Sequence, residues 1–167
     1  MPIRKARTSD VKSIQKLINS YAKKHKLIPR SLNDLYEKIR DLTVYDNAKG
    51  TVQGVCALHV AWEDLAEIRS LAVSSRSKGK GIGKALVRHA LKEATHLGVK
   101  KVFVLTYYPE YFQQLGFEEV DKAKLPHKIW ADCLNCHKFP ECDETAVQIK
   151  LKAKLSGIKA QGPKEKI

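Results

Sequence analysis

Apolar positions along the chain switch repeatedly between a helical and a strand period. Val11, Ile14, Leu17, Ile18 and Tyr21 keep the three-and-four spacing of one helix face, with Thr8 or Ser9 as the expected cap. Ser31 to Asp34 resembles a capping box and opens a second predicted helix through Leu35, Ile39 and Leu42. Ile82, Leu86, Ala90, Ala94 and Leu97 stripe a third, which Gly98 stops. Between them lie predicted strands: Ile3 to Arg7, Thr43 to Tyr45, Thr51 to Trp62, Ala66 to Val73, Lys101 to Thr106, and the alternating run Thr145, Val147, Ile149 and Leu151. The turn Asn47 to Gly50 joins the second and third strands as a hairpin. Helices crossing between strands of one sheet make an α/β (or α+β) domain.

The join between the Ala66 to Val73 strand and the third helix carries the strongest chemical signal. Gly79, Gly81 and Gly83 alternate with Lys80 and Ile82, and Lys84 follows. Alternate glycines let successive main-chain N–H groups converge, because no Cβ limits φ or a ligand's approach. The helix that follows aims its positive dipole end at the same point. Such a loop suits phosphate oxygens. It is not a P-loop, since Gly79 and Gly83 are one residue too close and Ala85 supplies no hydroxyl for magnesium. A dinucleotide fingerprint fails as well, because the pattern is Gly-x-Gly-x-Gly rather than Gly-x-Gly-x-x-Gly.

Leu71-Ala72-Val73, five residues, then Gly79 to Leu86 resembles the acetyl-CoA-binding motif of the GNAT acetyltransferase superfamily. The family usually reads Arg/Gln-x-x-Gly-x-Gly/Ala; the register here is Lys78-x-x-Gly81-x-Gly83, with lysine in the first place. The resemblance implies a mixed, largely antiparallel sheet flanked by helices. It also implies that acetyl-CoA is the co-substrate. Leu71, Ala72 and Val73 would then meet the pantetheine arm through main-chain groups, and Gly79, Lys80, Gly81, Ile82, Gly83 and Lys84 would wrap the diphosphate.

Acetyl transfer to an amine needs a group that takes a proton from the ammonium and a donor for the developing oxyanion. Glu67, in the run Ala66-Glu67-Ile68, matches the acidic residue that often serves as base in the family. By strand alternation it shares a face with Arg69, Leu71 and Val73. Its other reading is a surface ion pair with Arg69. The oxyanion donor implied by the resemblance is a main-chain N–H near Leu71 or Ala72, where the family strand bulges. The family's usual tyrosine acid is replaced: the segment Tyr111-Phe112-Gln113-Gln114-Leu115-Gly116-Phe117 has phenylalanine at that place. Tyr107 or Tyr108 could stand in as the acid, or solvent could protonate the thiolate; both tyrosines also read as ordinary packed aromatics.

Further segments narrow the resemblance. Ile3 to Ala6, Lys26 to Ser31, Leu105-Thr106-Tyr107 and Lys124-Leu125-Pro126 are similar to the acetyltransferase domain of N-acetylglutamate synthases, above all the short bacterial type. That implies an amino-acid N-acetyltransferase acting on the α-amino group of L-glutamate by direct transfer, the first step of arginine biosynthesis. Arg4, Arg30 and Arg69 are the candidates for the acceptor's carboxylate. Alternatives are another amine (a protein N-terminus, a lysine, a small molecule) or a non-enzymatic basic module binding CoA or RNA. In the longer synthases an arginine-bearing segment follows the Leu-Pro; here that stretch instead holds Cys133, Cys136 and Cys142. With His137 or His127 these could form a structural zinc site. A reduced-thiol loop is the other reading, and no metal ligand is assigned. The fourth cysteine, Cys56, lies in an apolar strand and reads as core.

Composition limits these options without choosing among them. At 167 residues with a formal charge of +13, the chain is read as a single domain over 1–155 with a basic, disordered tail over 156–167. The charge suits anionic small molecules such as coenzyme A. No tract interleaves basic residues with stacking aromatics, so nucleic acid is not the expected partner. No apolar run is long enough to span a membrane, and the start lacks a secretory pattern, so a cytoplasmic location is the expectation. Oligomeric state is open, a homodimer being one option.

Overall fold

The computed structural model describes residues 2–24, 27–125 and 144–152. Among them the elements run β1 (Ile3–Lys5), α1 (Val11–Ala22), α2 (Leu32–Glu37), β2 (Leu42–Asp46), β3 (Val52–Trp62), β4 (Leu65–Val73), α3 (Ile82–Leu97), β5 (Lys101–Thr106), α4 (Pro109–Gln113), β6 (Glu118–Val120) and β7 (Thr145–Lys150). The strands form one sheet in the order β1-β2-β3-β4-β5-β7-β6. Every pairing is antiparallel except β4 with β5. This is the mixed, largely antiparallel sheet expected. Among the described residues no helix is long and apolar enough to cross a membrane. The 156–167 tail lies outside the described residues.

Several boundaries differ from the sequence reading, each for a local reason. Neither Thr8 nor Ser9 caps α1. A short 3₁₀ turn over Thr8–Asp10 comes first, and the Asp10 carboxylate accepts the Arg7 N–H at 2.7 Å. β1 stops at Lys5 as a result. Ser31 does cap α2, accepting the Asp34 N–H at 3.0 Å. That helix ends at Glu37, however, and Ile39 sits in a 3₁₀ turn, while Leu42 opens β2. Apolar residues spaced three apart serve a 3₁₀ turn and a strand start as well as a helix. The Asn47 turn forms as read, its Oδ1 accepting the N–H groups of Lys49 and Thr51. β6 has a single apolar residue and gave no period to find.

Apolar clusters cover both faces of the sheet. On one, α3 lays Ile82, Leu86, Val87, Ala90 and Ala94 against Ala66, Ile68, Val102 and Val104. On the other, α1 and α2 lay Val11, Ile14, Ile18 and Leu35 against Val44, Val55 and Ala72. Close seating of α3 depends on Gly54, where a Cβ would lie 3.0 Å from both Ile82 Cγ2 and Leu86 Cδ1.

Candidate functional site

β4 and β5 part company early. Their parallel ladder covers only Leu65↔Lys101, Ala66↔Val102 and Glu67↔Phe103. Beyond Glu67, the β5-facing edge of β4 opens into a groove of about 1070 Å³, lined by β4, the glycine loop, α2, Thr106, Tyr108, Tyr111 and Lys122. Where a parallel sheet splits, the strand edge has no neighbouring strand, so a polar extended ligand can lie there as an extra one.

The split coincides with a bulge. Across β3, Ala57 pairs Arg69 and Val55 pairs Ala72, so β4 carries one extra residue between them. Ser70 there has φ 55°, the one non-glycine residue with positive φ among those described. An extra residue reverses the alternation beyond it. Ala66 and Ile68 face α3, and past the bulge so do Leu71 and Val73. Glu67 and Arg69 therefore lie on the opposite face from Leu71 and Val73, which corrects the simple alternation. The groove thus has a main-chain side near α3 and a charged side near α2.

On the main-chain side, Gly79 and Gly81 hold φ of 81° and 78°, with open space where a Cβ would stand. Backbone conformation, not crowding, requires glycine there. Gly81 is the N-cap of α3 and supplies no capping side chain; the first helical bond runs from Ala85 N–H to the Gly81 carbonyl. The N–H groups of Ile82, Gly83 and Lys84 therefore have no acceptor within the helix and face an incoming anion. Ser77 anchors the loop by donating to the Gln53 Oε1 at 2.6 Å. A Cβ on Gly83 would come within 2.7 Å of the Tyr111 hydroxyl, which thus lies over the first turn of α3. Burial pushes the Tyr111 hydroxyl above the ordinary tyrosine pKa, so it stays protonated and can donate.

Side chains build the other side. Glu67 is buried, 7% exposed, and accepts from Arg69 Nε at 2.7 Å. The ion pair with Arg69 is present, but it is no surface pair. Arg30 enters the groove from the segment before α2, donating from Nε to Asp34 at 2.7 Å and from Nη1 to the Ser70 hydroxyl at 3.3 Å. Burial alone would raise the Asp34 carboxyl; Arg30 and Lys38 more than offset it and hold the group below the usual carboxylate range.

The expected site residues divide accordingly. Leu71, Ala72, Val73, Gly79, Gly81, Ile82, Gly83, Lys84, Glu67, Arg30 and Arg69 all line the one groove. Lys80, between two lining glycines, is exposed and not a lining residue. Tyr107 is half-buried and does not line the groove, whereas Tyr108 and Tyr111 do. Arg4 is elsewhere: its guanidinium binds Asp10 and Asp46, each at 2.8 Å, tying β1 to β2 and the start of α1. Sequence reasoning missed Tyr21, whose hydroxyl touches Val73, and Asp34, whose pattern showed only a capping box. Among the described residues, no group of three or more His, Cys, Asp or Glu could hold a metal. Cys133, Cys136, Cys142, His127 and His137 lie outside the described residues.

Residues 11–117 match the pattern of the acetyltransferase (GNAT) family. The chain belongs to that family. As a GNAT acetyltransferase it is an acyltransferase, which sets aside the non-enzymatic reading. It is 43% identical over 130 residues to an amino-acid acetyltransferase of Mycobacterium tuberculosis, covering 77% of this chain and 74% of that one. It is 42% identical over 145 residues to an uncharacterized N-acetyltransferase of Chlorobaculum tepidum, covering 87% and 93%. Among solved structures, N-acetylglutamate synthase from Neisseria gonorrhoeae, complexed with coenzyme A and N-acetyl-glutamate, superposes with a TM-score of 0.82 at 26% identity. That match covers 90% of this GNAT chain but 35% of the synthase. A Mycobacterium tuberculosis protein in complex with CoA superposes with a TM-score of 0.79 at 32% identity, covering 90% and 99%.

Proposed function

We propose that the protein is an acetyl-CoA-dependent amino-acid N-acetyltransferase whose acceptor is the α-amino group of L-glutamate. One observation carries this: one cavity joins the start of α3 and the β4 edge to a buried carboxylate, its partner Arg69, and Arg30. Acetyl-CoA supplies the activated acetyl thioester. The N–H groups of Ile82, Gly83 and Lys84, with the turn at Gly79 to Gly81, hold its diphosphate. The β4 edge at Leu71 and Val73 orients the arm, and the main-chain N–H of Leu71 donates to the acetyl oxygen as negative charge develops, since Ala72 turns its own N–H toward its β3 partner Val55. Glu67 takes a proton from the acceptor's ammonium, directly or through one water. Arg30 and Arg69 bind acceptor carboxylate and fix its orientation. A groove hydroxyl, Tyr108 or Tyr111, returns a proton to the departing thiolate. This reading places the enzyme in the cytoplasm at the entry to arginine biosynthesis, and the relative named an amino-acid acetyltransferase supports it.

The test is release of coenzyme A thiol by the purified protein against a panel of free amino acids, peptides and polyamines. Glutamate is expected to give the highest kcat/KM. Efficient turnover with another amine and none with glutamate would overturn the acceptor while leaving the transferase.

A further inference from the structure

Tyr21, near the C-terminal end of α1, reaches across the groove to the last residue of β4. Its hydroxyl donates to the Val73 carbonyl at 2.8 Å and accepts the Val73 N–H at 3.1 Å. These two groups turn away from β3. One residue further on, the Ser74 N–H goes to the Gln53 carbonyl on that strand, so by antiparallel alternation Val73 aims both main-chain groups the other way, into the groove. A hydroxyl is the smallest side-chain group able to accept from an N–H and donate to a C=O of the same residue. It satisfies the β4 edge as one peptide unit of a neighbouring strand would.

We infer that Tyr21 occupies the main-chain site at Val73 that the coenzyme's amide-bearing arm takes, so that coenzyme binding must displace its hydroxyl. Tyr21 sets coenzyme affinity by competition. A second contact ties the displacement to the glycine loop: Lys78 Nζ lies 5.2 Å from the centre of the Tyr21 ring. Lys78 opens the segment that folds around the diphosphate, so an anion drawing Lys78 toward itself also loosens Tyr21. The α1 end and the coenzyme loop therefore respond together.

This inference rests on the groove being the coenzyme site, and the experiment separates the two. Calorimetry measures the Kd for coenzyme A of the wild type and of Tyr21→Phe, which keeps the ring over Lys78 and removes only the hydroxyl. Because the closed state lowers apparent affinity by the fraction of competent molecules, Tyr21→Phe is expected to bind roughly fivefold tighter. An unchanged or weaker Kd overturns the inference and leaves the coenzyme site standing, whereas no binding by the wild type removes that site itself. Hydrogen exchange on the wild type tests the same claim without a variant. Saturating coenzyme A is expected to slow exchange at residues 79–84 and to speed it at residues 19–24 as the Tyr21 tether is released. Slower or unchanged exchange at 19–24 contradicts displacement.

Discussion

On the side of the groove next to α3, the lining is made of main-chain groups, those of Ile82, Gly83 and Lys84 and the edge of β4. Across from them stand side chains: Glu67, Arg69, Arg30 and Asp34. The first surface needs little from residue identity beyond glycines where φ is positive, and it suits a ligand whose recognition is generic. The second depends on which side chains arrive from distant parts of the chain, here β4 and the segment before α2. In the proposed reaction, chemistry and selectivity belong to it. One scaffold can therefore keep its coenzyme half and change acceptors.

Glu67→Gln should break the comparison most sharply. It keeps size and a hydrogen-bond acceptor for Arg69 but removes the proton acceptor, so kcat is expected to fall about 10²–10⁴-fold. Coenzyme affinity, measured by calorimetry, should stay as it was. Arg30→Ala comes next: steady-state kinetics should show the acceptor KM rising on the order of 10²-fold, as expected for a lost charge-assisted contact. A lysine at position 30 should restore only part of it, since Arg30 spans Asp34 and Ser70 with two different nitrogens. Gly81→Val tests the other half, placing a β-branched residue at φ 78°. The strain should weaken coenzyme binding roughly tenfold while the acceptor KM stays put.

Much of the coenzyme half was legible in the sequence, and the reason is physical. Gly79 and Gly81 mark backbone conformations, and a conformation is local, whereas Gly83 marks the close approach of the Tyr111 hydroxyl. The acceptor half is a meeting of residues 30, 67 and 69, which spacing alone does not bring together. Arg4 and Arg30 look alike in sequence; only the fold gives one to Asp10 and Asp46 and the other to the groove. The bulge defeated simple alternation, because counting by twos places Glu67 with Leu71 and Val73, and the extra residue near Ser70 reverses that. Tyr21 was legible as helix stripe but not as a groove residue, since a ring packed on the α1 face can still extend its hydroxyl to β4. Tyr107 and Tyr108 are adjacent in sequence, yet only Tyr108 lines the groove.

The smallest effect on catalysis should come from Arg4, which belongs to neither half. Arg4→Met removes partners from Asp10 and Asp46 and should lower unfolding free energy by about 1–3 kcal/mol, with kcat/KM unchanged. Acid denaturation sharpens this. Hydrogen bonding to Arg4 holds the Asp10 carboxyl below its usual range. Its contribution is therefore present above the unfolded carboxylate pKa and is lost as pH falls through the lower folded value. Arg4→Met should flatten that part of the stability–pH curve, measured by denaturant melts. Cys56, fully inside the sheet core with its thiol pushed up to about 12 by burial, should stay unreactive toward thiol reagents until the protein unfolds.

The most direct measurement compares, by calorimetry, the binding of coenzyme A with that of pantetheine, which has the arm but no diphosphate. If the amides at the start of α3 hold the diphosphate, coenzyme A binds at least about a hundredfold more tightly. Equal affinity for the two, or no affinity for coenzyme A, would contradict the account.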